Sequence, residues 1–176
     1  SDILGPKFLG LVPYLIPVAW FMMTYPSYVI ATRLAPAIKS HWGWRLWVAA
    51  VGATVMTAWD LAMDPMMSAG GHWVWEVEGA YFGIPLQNYL GWWLTVFVTF
   101  ILFLVIGRVT NEFVTTNGEH RSNDFSRYDR LAILSYTFTA MSSIAIDFRY
   151  GMGGPAMVGL FAMLPWVLLG WQKSKA

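Results

Sequence analysis

Two aspartates, Asp60 and Asp64, stand four residues apart where an apolar run meets a proline, in the order W-D-L-A-M-D-P. On a helix that spacing puts both carboxylates on one face, within about 6 Å of each other. Two acids so close beside lipid cannot both ionise comfortably. A carboxyl that keeps its proton next to an ionised partner is what general acid–base chemistry requires, and acids inside apolar spans are functional by default. The structural alternative is that Asp64 turns the chain beside Pro65 while Asp60 bonds another helix. Downstream, Glu76 and Glu78 straddle Val77 among Trp73, Trp75 and Tyr81. In an extended segment both glutamates face one side; otherwise they belong to a solvated interfacial loop. Trp59, Trp92 and Trp93 either line a tunnel for a long apolar substrate and steady a cation with their ring faces, or anchor the chain at the headgroup level. Asn88 precedes the next apolar run and either caps it or orients a water. Asp147 and Arg149 read as an interfacial ion pair.

Other chemistries find little support. His41, His72 and His120 all fall in loops, so none stands at mid-membrane to ligate a haem or a chlorophyll-type magnesium. No His/Asp/Glu set has metal-ligand spacing, so no metal is expected. A D-x-x-x-D pair can hold magnesium for a diphosphate, as in membrane prenyltransferases, but of the second acidic motif those need only Asp147 is at hand. There is no glycine-rich phosphate loop and no nucleophile elbow. The absence of cysteine excludes disulfides, thiolate metal sites and a cysteine nucleophile.

The elements that must position these residues are apolar. Of 176 residues, 57% are hydrophobic and 12% charged, against roughly 25% charged in soluble domains. The net charge of +1 implies no nucleic-acid partner. The expected fold is all-α, a single integral membrane domain over 1–176 with about five transmembrane helices, at 8–32, 44–63, 90–107, 131–146 and 152–171. The first of these runs, 25 residues without a charge, suffices to cross a hydrocarbon core of roughly 30 Å. Pro13, Pro17 and Pro26 are expected to kink the first span rather than end it. Asp64-Pro65 is expected to end the second, because a residue before proline avoids helical geometry. The aromatic-rich segment 65–89 reads as interfacial or re-entrant, and 108–130 as a solvated loop. The start SDILGPKF lacks a basic region and cleavage site, so the first run reads as a retained span.

With the N-terminus outside, Arg33, Lys39, Arg45, Arg108, Arg121, Arg127, Arg130, Lys173 and Lys175 fall on the cytoplasmic side, against Lys7 and Arg149 outside. That bias fits the positive-inside rule and directs Asp60, Asp64, Glu76, Glu78 and Asp147 toward the outer face. TAWD (57–60) before D-P and SIAID (143–147) before G-G-P echo each other, either as a vestigial repeat or by chance.

Within 59–93, the motifs W-D-L-x-x-D-P (59–65), H-W-V-W-E (72–76), G-A-Y-F-G-I-P-L-x-N (79–88) and G-W-W (91–93) resemble the signature of the membrane carotenoid biosynthesis proteins. That family includes the bacterial and archaeal carotenoid 1,2-hydratases. The resemblance is dense in this stretch and elsewhere rests on apolar helices alone. It implies addition of water to the terminal double bond of an acyclic carotenoid end group, with no cofactor required, in a prokaryotic inner membrane. The implied catalytic residues are Asp60, Asp64, Glu76 and Glu78, with Asp60 or Asp64 as the acid and Glu76 or its neighbour orienting water. The implied substrate-binding residues are Trp59, Trp73, Trp75, Tyr81, Asn88, Trp92 and Trp93. The expected partners are carotenoid, as substrate or bound pigment, and the lipid bilayer. Members of the family generally carry additional helices ahead of the Asp-rich stretch. That difference motivates a second reading: a non-catalytic, carotenoid-contacting subunit that joins other membrane subunits in a photosynthetic pigment–protein complex.

Overall fold

An apolar run can cross a bilayer only if its backbone polar groups bond internally, which a helix achieves. In the computed structural model, which describes residues 4–72, 74–109 and 127–173, five helices do so: α1 (Leu15–Leu34), α2 (His41–Ala69), α3 (Leu86–Val109), α4 (Arg127–Arg149) and α5 (Gly153–Lys173). Each is long and apolar enough to span a membrane. The expected all-α polytopic bundle is the fold, and the chain is an integral membrane protein.

Two boundaries differ most from expectation. The first span does not begin at Phe8. Lys7–Phe8 and Val12–Pro13 pair as a minimal antiparallel hairpin, turned through Leu9 and Gly10 at φ 50° and 71°. That turn holds Pro13 ahead of the helix. Pro17 sits in the first turn of α1, where a missing N–H costs nothing, and Pro26 lies inside it.

The second helix does not stop at Asp64-Pro65. Ser40 caps its start, the hydroxyl accepting from Gly43 N–H at 3.2 Å, and it continues through Pro65 to Ala69. Proline lacks the N–H that would have bonded the carbonyl four residues back, that of Leu61. The Tyr81 hydroxyl donates to this carbonyl instead, at 2.8 Å. The freed acceptor is satisfied from outside the helix, so the helix goes on. At 1.5 Å per residue α2 is about 43 Å long, and Asp60 lies about 14 Å before its end. The carboxylates are therefore deeper than a helix ending at Asp64 would set them.

This explanation makes a prediction. Tyr81→Phe should destabilise the protein by about 1–2 kcal/mol through the orphaned carbonyl. In a Pro65→Ala background, where an N–H returns to Leu61, the same change should cost much less. Thermal unfolding of the four proteins in detergent checks both values.

α2 is the hub, in contact with all four other helices. Between apolar helices in lipid, association relies on close packing and interhelical hydrogen bonds, and both are present. A Cβ added at Gly159 of α5 would lie 2.7 Å from the Ala62 Cβ of α2, so only glycine permits that approach. The Tyr136 hydroxyl of α4 donates to the Val55 carbonyl at 2.8 Å, and the Trp59 indole N–H donates to Ser143 Oγ at 3.2 Å. These two bonds run α4 alongside α2 in the same direction. They bring the echoing segments around Asp60 and Asp147 face to face.

Candidate functional site

Asp60 and Asp64 share one face of α2, each 1% exposed. Their partners differ. The Asn88 amide, in the first turn of α3, donates to Asp64 Oδ2. Neither oxygen of Asp60 has a hydrogen-bond partner among the described residues. Tyr89 follows Asn88 and is 8% exposed. Its hydroxyl has no hydrogen-bond partner among the described residues and lies in electrostatic reach of Asp64, Tyr81 and Asp60. From α4 comes a third acid, Asp147, 0% exposed and with both oxygens unpartnered among the described residues.

The loop between α2 and α3 roofs this cluster. Its tip, 79–84, is a tight clasp: Gly79 N–H donates to Gly83 O at 2.9 Å, Tyr81 N–H to Ile84 O at 3.2 Å, and Ile84 N–H to Tyr81 O at 2.8 Å. Phe82 and Gly83 adopt positive φ, 48° and 83°, which is costly for an aromatic residue. The conformation lays the Phe82 ring on Gly154 at the start of α5, where a Cβ would come within 2.5 Å of it. Ile84 is fully buried beneath the clasp. Tyr81 is thereby seated between α2 and α4. Its ring meets Tyr89 edge-on at 5.2 Å, its hydroxyl caps Leu61, and it feels the charge of Asp147. Burial first, and Asp147 second, push the Tyr81 phenol up to about 12, so it stays a donor.

Of the residues singled out from sequence, Asp60, Asp64, Tyr81 and Asn88 converge here. Trp59 flanks them through its bond to Ser143. Trp92 stacks on Trp20 of α1 at 4.9 Å. These two rings, with Asn88, Gly91 and Thr95, line an open cavity of about 260 Å³, and the same Asn88 donates to Asp64. Trp93 turns elsewhere, donating to Thr54 Oγ1 at 3.0 Å and stacking on Phe97. The Trp75 indole donates to Ser68 Oγ at 3.1 Å and pins the loop to the end of α2. Glu76 and Glu78 are exposed on the loop, outside the buried cluster. Trp73 lies outside the described residues.

The expected ion pair between Asp147 and Arg149 does not form. α4 continues to Arg149, and residues two apart on a helix point to different sides. Asp147 is buried while Arg149 is exposed. Two members of the cluster were missed from sequence, Tyr89 and Asp147. The echo between 57–60 and 143–147 was the available signal for Asp147. Tyr89 had none beyond its place beside Asn88. Among the described residues no group of three His, Cys, Asp or Glu could hold a metal. The arrangement is a polar island of acids, phenols and one amide inside an apolar bundle, suited to moving protons.

Comparison with known proteins agrees with this setting. Bisanhydrobacterioruberin hydratase of Haloarcula japonica is 37% identical over 100 residues, 57% of this chain and 33% of that protein. The match thus spans about a third of that relative's length. No solved structure matches. The family model for carotenoid biosynthesis proteins matches residues 1–165, nearly the whole chain, and the chain belongs to that family.

Proposed function

We propose that this protein adds water to the terminal double bond of an acyclic carotenoid end group by acid catalysis. The observation that carries the reading is the inequality within the buried pair: Asp64 is held by an amide donor, and Asp60 has no donor among the described residues. An unpaired carboxylate buried away from water is costly, so Asp60 keeps its proton. An amide hydrogen bond supports charge on Asp64. The hydratase relative lends the reaction class.

In the proposed reaction the end group enters the cavity beside Trp20 and Trp92. The Asp60 carboxyl gives its proton to the less substituted alkene carbon, using the π electrons to form the new C–H bond. The other carbon becomes a tertiary cation, steadied by the indole faces. A water oxygen bonds to that carbon and its proton passes to Asp64. Transfer from Asp64 to Asp60, one helical turn away, restores the pair. Net, one water is added and nothing is oxidised. We also propose the orientation that the basic residues favour, with the N-terminus outside and the C-terminus in the cytoplasm of a prokaryotic inner membrane.

Incubating the purified protein with an acyclic carotenoid and looking for the product one water heavier tests the reading. No product from a folded sample would overturn it. Within that assay, Glu76→Gln and Glu78→Gln should retain activity within about threefold, as expected of exposed positions away from the acid pair. A large loss would return the base to the loop.

A second reading rests on a different feature. An apolar groove of about 280 Å³ opens outward between α1 and α4, lined by Phe21, Tyr25, Tyr128 and Leu131 among others. It suits a non-catalytic, carotenoid-contacting subunit of a pigment–protein assembly. Co-purification with pigment and other subunits, without turnover, would favour it.

A further inference from the structure

At the end of α2 opposite the acid pair, charge runs against the helix. The N-terminus of a helix is its positive end and favours acids, yet the first turn of α2 holds none. Lys39 precedes the Ser40 cap, and His41 and Arg45 follow it. Arg45 is also buried, 5% exposed. Its one interaction among the described residues is with the Trp42 ring, whose centre lies 5.1 Å from the guanidinium carbon. At this end of the bundle the described residues supply one acid, Asp129, and Arg33 pairs with it. A buried guanidinium, with five N–H donors and no carboxylate, is costly to leave so. We infer that the start of α2 binds the phosphate of a membrane phospholipid, with Arg45 as its main contact.

The local geometry supplies what a phosphate needs. Trp42 is the second residue of α2 and Arg45 the fifth, so a guanidinium beside the Trp42 ring has turned back toward the helix start. Its stem stays in the bundle while its head approaches the surface. There the helix leaves the N–H groups of His41 and Trp42 without intrahelical acceptors, while Ser40 Oγ takes that of Gly43. Free backbone donors and the positive end of the dipole suit an anion, and Arg45 adds charge-assisted bonds from the side. Lys39 is exposed directly before the cap.

The surroundings select a lipid over a free anion. Trp42, Leu46 and Trp47 are all exposed, and Trp42 and Leu46 stand one turn apart on one face. Apolar surface beside anion donors fits a molecule that carries acyl chains as well as a phosphate. The depth agrees. α2 is about 43 Å long against a hydrocarbon core of roughly 30 Å, and Lys39 with the two tryptophans marks its start as the headgroup end. Arg45 lies about 22 Å along the helix from Asp60, so the site is separate from the acid pair and independent of the hydration reading.

The test strips the full chain of lipid in detergent and titrates three probes, with native mass spectrometry counting the bound molecules. Dioleoyl phosphatidylglycerol has both phosphate and chains, dioleoylglycerol the chains alone, and inorganic phosphate the anion alone. Phosphatidylglycerol should bind at least about tenfold more tightly than either of the others. Arg45→Gln should weaken that binding by about tenfold or more. Lys39→Gln should weaken it by about threefold. Lys173→Gln, which removes an exposed charge at the same end of the bundle, should change it by less than about twofold. Equal losses in Arg45→Gln and Lys173→Gln would reduce the effect to net charge and overturn the site. Dioleoylglycerol binding as tightly as phosphatidylglycerol would overturn the phosphate contact, and inorganic phosphate doing so would overturn the lipid. If Arg45→Gln fails to fold, the double variant Lys39→Gln, Trp42→Ala decides, since both positions are exposed: parental affinity for phosphatidylglycerol overturns the inference. None of these readouts depends on turnover.

Discussion

Asp60→Asn is expected to abolish water addition, by about 1,000-fold or more in kcat, while the bundle stays folded and becomes no less stable. A general acid contributes about 10²–10⁴ to rate, and the amide that replaces it matches its shape but has no proton acidic enough for an alkene. The stability side follows from the partners. Asp60 makes no hydrogen bond among the described residues that the substitution would break. The amide has the carboxyl's shape and enters a position where no bond is lost, so the exchange leaves the packing as it was. Asp60→Leu, which removes the buried polar group altogether, should raise the unfolding temperature.

Asp64→Asn differs, because the Asn88 amide loses a charged acceptor and the pair loses its base. Its kcat should fall by about 100-fold, with a small loss of stability from the weaker hydrogen bond. Single-turnover conversion of an acyclic carotenoid, run beside thermal unfolding, reads both quantities. A folded Asp60→Asn that works at the parental rate would move the acid elsewhere. Parental rates in both variants would remove the pair from the reaction.

The bundle was legible in the sequence because lipid imposes one rule on every residue of a span. Apolar runs marked all five helices, and the error at the first start came from a hairpin too short to break the hydropathy pattern. The error at Pro65 is more instructive. Proline usually ends a helix because of a carbonyl it leaves unbonded, and whether it does depends on a donor from elsewhere. Here that donor is Tyr81, sixteen residues later in the loop, which no local rule connects to Leu61.

The site divides the same way. Asp60 and Asp64 were legible through the helical repeat, and Asn88 as a polar residue at the start of a span, although it stands inside α3 rather than ahead of it. Asp147 was not, since beside Arg149 it satisfied a simple local reading. Its burial depends on the α2–α4 contact at Trp59 and Ser143. Glu76 and Glu78 drew attention as acids among aromatic rings, but the loop turns them outward. Local spacing thus identified the acids that one helix pairs, while the groups that join them from α3, α4 and the loop required the packed bundle.

Gly79→Ala should unseat the roof of the site, with a cost of about 3 kcal/mol or more to the loop and loss of most activity. Overpacking ordinarily costs about 1–3 kcal/mol because neighbouring side chains can give way. At Gly79 the added Cβ would lie 1.9 Å from the Ile84 carbonyl carbon, 2.0 Å from Pro85 N and 2.1 Å from Ile84 O. These are backbone atoms of the same clasp, and they cannot move without breaking the bond from Gly79 N–H to Gly83 O. Once the clasp opens, Phe82 has no reason to keep its positive φ against Gly154, and Tyr81 leaves both Leu61 and Tyr89. The damage should therefore exceed that of Tyr81→Phe, which removes one hydrogen bond and leaves the clasp closed. The five helices do not depend on the clasp for their own backbone bonds, apart from the Leu61 carbonyl, so the lesion should stay local. Far-ultraviolet circular dichroism should be unchanged while proteolysis at 74–85 accelerates sharply. Bulk water would then reach the acid pair. A Gly79→Ala protein with a protected loop and parental turnover would show that the clasp does not position the site.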